Sequence, residues 1–104
     1  MTDRPGPTAP TEKILQTLRA HLPEISVQYG VTTLELFGSY ARGDQVRGSD
    51  LDVLVEFERT PSLFEFVDLQ SQLSDLLGIK VDLVMKEGLK PDLAPLILEN
   101  RILV

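Results

Sequence analysis

The sequence predicts a layered α/β (α+β) domain, and three observations carry that prediction. Segments of helical period alternate along the chain with short runs rich in β-formers. Glycines and prolines punctuate those segments where elements should begin and end. The chain is 104 residues long and 42% hydrophobic, enough for one core without disulfides.

Met1 to Pro10 carries three prolines and no apolar stretch. It reads as a flexible tail rather than a secretory signal, leaving 11–104 as a single domain. From Thr11 to Val27, Ile14, Leu15, Leu18, Leu22 and Ile25 recur on one helical face. Pro10 or Thr11 starts this helix, Pro23 predicts a break near Leu22, and Gly30 stops it. On that reading His21, the only histidine, is a charge near a helix C-terminus. Val31 to Phe37 is a strand with Val31, Leu34, Leu36 and Phe37 as core candidates. Gly38 ends it, Ser39 to Arg42 makes one or two helical turns, and Gly43 stops them.

Asp44 to Ser49 is a polar loop in which Asp44 and Arg47 read as solvated charges. Leu51 to Phe57 is a second strand, with Leu51, Val53 and Val55 on one face and Asp50, Asp52 and Leu54 on the other. Apolar residues on both faces mark it as central. Ser62 to Glu65 is a capping box that opens a leucine-rich helix, read as core, through Leu77, closed by Gly78. Phe64 and Phe66 cannot both point inward, so one faces a partner. Ile79 to Met85 is a third strand. Pro91 opens a last helix carrying Leu93, Leu96 and Ile97. Ile102 to Val104 either pairs as an edge strand or docks on a partner.

Composition bounds the function. The net charge is −6, which opposes direct binding of a long nucleic acid. There is no cysteine, which excludes disulfides and thiolate zinc sites and fits a cytoplasmic protein. No apolar run reaches the ~20 residues of a membrane span.

The chemistry concentrates between Gly38 and Asp52. Asp50 and Asp52 lie two residues apart and project from one face of a strand. Two such carboxylates repel unless a cation sits between them, and oxygen-only ligands suit magnesium. Gly38 lets backbone approach closely. Ser39 offers a backbone N–H and a hydroxyl to a phosphate at a helix start. Arg42 lies on the same side of that turn, where it reaches phosphates or braces the loop before Asp50. Asp82 is the lone charge between Val81 and Leu83 in an apolar strand. With the third strand beside the second, Asp82 meets the pair and activates an incoming hydroxyl. Tyr40 either stands at the site mouth or packs beneath the turn. Taken singly, a solvated strand end accounts for Asp50 and Asp52, and an edge charge that discourages aggregation accounts for Asp82. It is their combined spacing that points to catalysis.

Gly38-Ser39, ten residues, Asp50-Leu51-Asp52 and a later strand Asp82 is a compound pattern. It resembles the nucleotidyltransferase superfamily typified by DNA polymerase β, and most closely its minimal members. Ala41-Arg42-Gly43 and Ser49 strengthen the likeness, which spans Val31 to Lys86. The resemblance implies a small mixed β-sheet with helices packed on it. It also implies an antitoxin that transfers AMP from ATP, with magnesium, onto a tyrosine of a helical HEPN-type ribonuclease toxin, in a hetero-oligomeric complex. Two other readings stay open: an antitoxin acting by binding alone, and a transferase for a small-molecule or RNA acceptor. Without room for an acceptor domain, the chain must take its acceptor from outside.

Overall fold

A computed structural model describes residues 11–88 and 100–104. The expected tail at 1–10 and the helix expected from Pro91 lie outside the described residues. In chain order the elements are α1 (Thr11–Tyr29), β1 (Val31–Phe37), α2 (Ser39–Arg42), β2 (Leu51–Phe57), α3 (Leu63–Leu77), β3 (Val81–Met85), a 3-10 turn (Lys86–Gly88) and β4 (Ile102–Leu103). The four strands form one mixed sheet in the order β3-β2-β1-β4. β1 is antiparallel to both β2 and β4, while β2 and β3 are parallel. Parallel neighbours need a crossover between them, and α3 supplies it.

α1 departs from expectation. It runs unbroken through Pro23 to Tyr29. Pro23 removes one helical hydrogen bond, but Ile14 and Leu18 before it and Ile25 after it are all buried in the same core. That two-sided burial outweighs the missing bond. His21 therefore sits within the helix, its Nδ1 2.9 Å from the Thr17 carbonyl. Gly30 ends α1 as expected, in the left-handed region at φ 73° and donating to the Ser26 carbonyl at 2.9 Å.

The other boundaries follow local chemistry. Ser62 caps α3 with both halves of a capping box formed with Glu65. Phe66 turns inward against Phe57, ring centroids 6.4 Å apart, whereas Phe64 is 85% exposed. Leu69 and Leu73 are buried, but Leu63, Val67 and Leu76 lie at the surface, so the helix is less wholly core than its leucines suggest. β3 begins two residues later than expected, with Ile79 and Lys80 in the preceding turn. Ile102–Leu103 resolves the open alternative by pairing with β1 at the sheet edge, and Arg19 Nη2 ties α1 to it by donating to the Leu103 carbonyl at 3.1 Å.

One face of the sheet meets α1 and α3. Leu34, Leu36, Leu51, Val53, Val55, Val81 and Leu83 form the core there with Ile14, Leu18, Leu69 and Leu73. Alternation puts Glu35, Phe37, Asp52, Leu54, Glu56 and Asp82 on the opposite face. Leu54 is fully buried there, in keeping with a strand covered on both sides.

The second face also holds a charge network that sequence reading missed. Glu35 is only 9% exposed. It accepts from Arg101 Nη1 at 3.2 Å, and Lys86 Nζ lies 3.8 Å away. Lys86 reaches Glu56 at 4.0 Å as well. A carboxylate this far from water depends on its partners. Arg101→Ala removes the closer one, and we expect a loss of about 1–2 kcal/mol in urea unfolding. An unchanged urea midpoint would show that Lys86 alone suffices.

No described helix is long and apolar enough to cross a membrane.

Candidate active site

The site lies where β1 ends and β2 and β3 begin. Gly38 links β1 to α2 at φ 75° and ψ −151°, a conformation open essentially to glycine. A Cβ there would run into Asp52 Oδ2 and stand 3.1 Å from Asp52 Cγ. The turn is thus pressed directly against one carboxylate. α2 begins at Ser39, and the Gly38 carbonyl accepts from both Ala41 and Arg42 at 3.1 Å. The N–H groups of Ser39 and Tyr40 precede the first helical bond and point out of the helix start. Gly43, at φ 80°, closes the turn by donating to the Ser39 carbonyl at 2.9 Å.

Tyr40 packs beneath this turn at 4% exposure, which decides between its two expected positions. Its carbonyl accepts from Thr11 Oγ1 at 2.9 Å, fixing α1 to the turn. Burial raises its phenol pKa, and the Asp50 charge raises it further. Tyr40 is therefore a neutral prop.

The expected meeting of β2 and β3 is present. Asp52 and Asp82 are register partners in the parallel pair, placing their backbones about 4.8 Å apart with side chains on the same face. The Asp52 pKa is raised, first by burial, then by the charges of Asp82 and Asp50, with Arg42 pulling the other way. Asp82, Asp50 and Arg42 are thus each within electrostatic reach of Asp52, which stands at their centre.

The carboxylates do not close into a cage. Among the described residues no three acid or histidine side chains are grouped tightly enough to hold a metal ion. Lys80 Nζ lies 3.9 Å from Asp50 Oδ2. The donor set still fits a hard divalent cation. It is all oxygen, and its central member is driven up in pKa by a burial and repulsion that a cation would relieve. Arg42 Nε donates to Asp44 Oδ2 at 3.2 Å, which gives Asp44 a role the sequence did not show. Arg47 stays exposed, as expected.

Two further residues position the site without touching it. Among the described residues β3 is an edge strand, so every second N–H faces away from β2. Ser74 Oγ accepts from the Val81 N–H, and Gln70 Oε1 from the Leu83 N–H, both at 3.0 Å. These α3 side chains clamp the strand on either side of Asp82. Sequence reading missed both, because their role depends on strand order.

The chain is similar in sequence and fold to known nucleotidyltransferases. The nucleotidyltransferase domain family matches residues 13–104. The protein adenylyltransferase MntA of Thermococcus cleftensis is 44% identical over 93 residues, covering 89% of this chain and 94% of that one. A solved structure described as a minimal nucleotidyltransferase superposes with a TM-score of 0.76 at 35% identity, covering 93% of this chain and 98% of that one. A chain from a toxin–antitoxin complex with AMP-PNP gives a TM-score of 0.67 at 27% identity, covering 91% of this chain and 72% of that one.

Proposed function

Because this chain belongs to the nucleotidyltransferase domain family, we infer that it is the antitoxin of a toxin–antitoxin pair. On this reading it silences a HEPN-type toxin by moving AMP from ATP onto a tyrosine hydroxyl of that partner. The observation that carries this reading is the in-register pairing of Asp52 and Asp82 beside the Gly38 turn. The likeness to a protein adenylyltransferase along nearly its whole length supports a protein as acceptor.

The residues divide the work by position. Gly38 and Ser39 present backbone N–H groups and a hydroxyl to the triphosphate at the start of α2. Arg42, braced by Asp44, places a positive charge on the same side as Asp52. Asp50, Asp52 and Asp82 would hold magnesium, which when bound neutralises the phosphate oxygens and aligns the in-line displacement. Asp82 stands on the strand next to the pair, where it orients the tyrosine hydroxyl and takes its proton. The phenolic oxygen forms a bond to the α-phosphorus, the bond from that phosphorus to the bridging oxygen of the β-phosphate breaks, and pyrophosphate leaves.

The test is incubation of this chain with ATP, magnesium and the toxin encoded beside it, followed by intact-mass spectrometry and fragmentation. One or more adenylates on a toxin tyrosine are expected. A toxin of unchanged mass that is nevertheless inhibited would replace this reading with neutralisation by binding alone.

A further inference from the structure

A cleft of about 360 Å³ opens beside the site, between the loop that enters β2 and the turn from α3 to β3. Val46, Arg47, Ser49 and Asp50 line one side, and Ile79 and Lys80 the other. The cleft meets the catalytic acids at Asp50 and includes neither Gly38, Ser39, Asp52 nor Asp82. It borders the nucleotide cradle at Tyr40 and Asp50 without including Gly38 or Ser39.

Its rim is built to project two kinds of side chain. Ser49 N–H donates to the Val46 carbonyl, and Ser49 Oγ accepts from the Val46 N–H, both at 2.9 Å. With Gly48 at φ 89°, this locks a tight turn. The turn holds Val46 66% exposed and pushes Arg47 outward. Among the described residues Arg47 makes no ion pair. Lys80 stands opposite, largely exposed, with only a 3.9 Å approach to Asp50. A chain of net charge −6 thus presents two cations, one of them beside Asp50, and an exposed apolar side chain along a single cleft.

We propose that this cleft receives the acidic flank of the acceptor polypeptide, with Val46 against an apolar residue and Arg47 and Lys80 against carboxylates. The proposal rests on the protein-acceptor reading above. Two arguments favour a polypeptide. In-line transfer needs the nucleophile to arrive opposite the departing pyrophosphate, so the acceptor needs its own approach beside the nucleotide's. Lys80 also lies two residues before Asp82, so a segment seated at Lys80 leads its reactive side chain toward Asp82. Charge complementarity then selects the occupant: carboxylates on the acceptor are drawn to Arg47 and Lys80 and kept away from the acidic remainder.

The test is the affinity of full-length Arg47→Glu protein for the toxin encoded beside it, measured by calorimetry at low and high salt. At about 50 mM salt the dissociation constant should rise about tenfold over wild type, and at about 500 mM the two should converge. Affinity for an ATP analogue, measured in parallel, identifies the occupant. Equal toxin affinities at low salt would overturn the proposal. So would a weakening confined to the nucleotide, which would reassign the cleft to phosphate. Transfer of adenylate is scored separately. Salt-sensitive toxin binding by wild type without adenylation would sink the enzymatic reading and leave the cleft standing. Arg47 is exposed, so its replacement leaves the core intact, and a melting curve of the variant confirms it.

Discussion

Asp52→Asn protein will melt at a higher temperature than wild type at neutral pH and will transfer no measurable nucleotide. Both effects come from one carboxylate. Burial and the charges of Asp82 and Asp50 raise the Asp52 pKa above the ordinary 3.8. The folded state therefore binds this proton more tightly than the unfolded chain does. Its stabilising share is fully present below the unfolded pKa and is lost as pH rises through the folded one. At neutral pH the ionised group is a net cost to the fold. An isosteric amide removes that cost, on the order of 1 kcal/mol because solvent still screens the group. The gain should shrink as pH falls toward the acid range, which a melting series across pH will show. Activity moves the opposite way. Losing the central carboxylate of the acid set should lower adenylate transfer by about a thousandfold or more. Magnesium should raise the wild-type melting temperature and leave that of the variant unmoved. A variant that is less stable than wild type at neutral pH would contradict the electrostatic account of this site.

The second large effect is expected at Gly38. Alanine there must take a backbone conformation with φ 75° and ψ −151° that costs about 1–3 kcal/mol for any residue with a side chain. Its methyl group also enters the space of the Asp52 carboxylate, with Asp52 Cβ already 3.3 Å away. The carboxylate can make room only by rotating away from the turn, which takes it out of the position it holds beside Asp82. We expect Gly38→Ala to lose about 2 kcal/mol in chemical denaturation and nearly all adenylate transfer. Gly30→Ala provides the control. Its φ of +73° also strains a residue with a side chain, less severely in the left-handed region at a helix end, and a Cβ there meets nothing within 4 Å. It should lose stability and keep transfer. If both variants keep full transfer, the contact between the turn and Asp52 has no catalytic weight.

The elements around the site were the most legible part of the chain. Ser39–Arg42 and Leu51–Phe57 are read to the residue, because glycines bracket the turn and β-formers alternate with acids along the strand. The neighbourhood of Asp82 was legible too, since a charge alone in an apolar strand is a conspicuous signal. Glu35 carries the same signal between Leu34 and Leu36, and there it marks a structural network with Arg101 and Lys86. Its partners lie far along the chain, and only sheet assembly brings them near. Pro23 misled in the other direction. Local propensity favours a break, but the core buries the helix on both sides of the proline. The rule was sound, and tertiary packing overrode it. The roles of Gln70 and Ser74 could not be read at all. Helix side chains acquire such a task only once β3 is known to be the outermost strand.

That bracing by Gln70 and Ser74 has a consequence for assembly. Main-chain donors at the rim of a sheet ordinarily invite a foreign strand to zip alongside. Here Ser74 and Gln70 already hold the Val81 and Leu83 donors, so the border on either side of Asp82 has fewer N–H groups to offer another strand. A molecule that approaches this corner therefore meets side chains before it meets free main-chain donors.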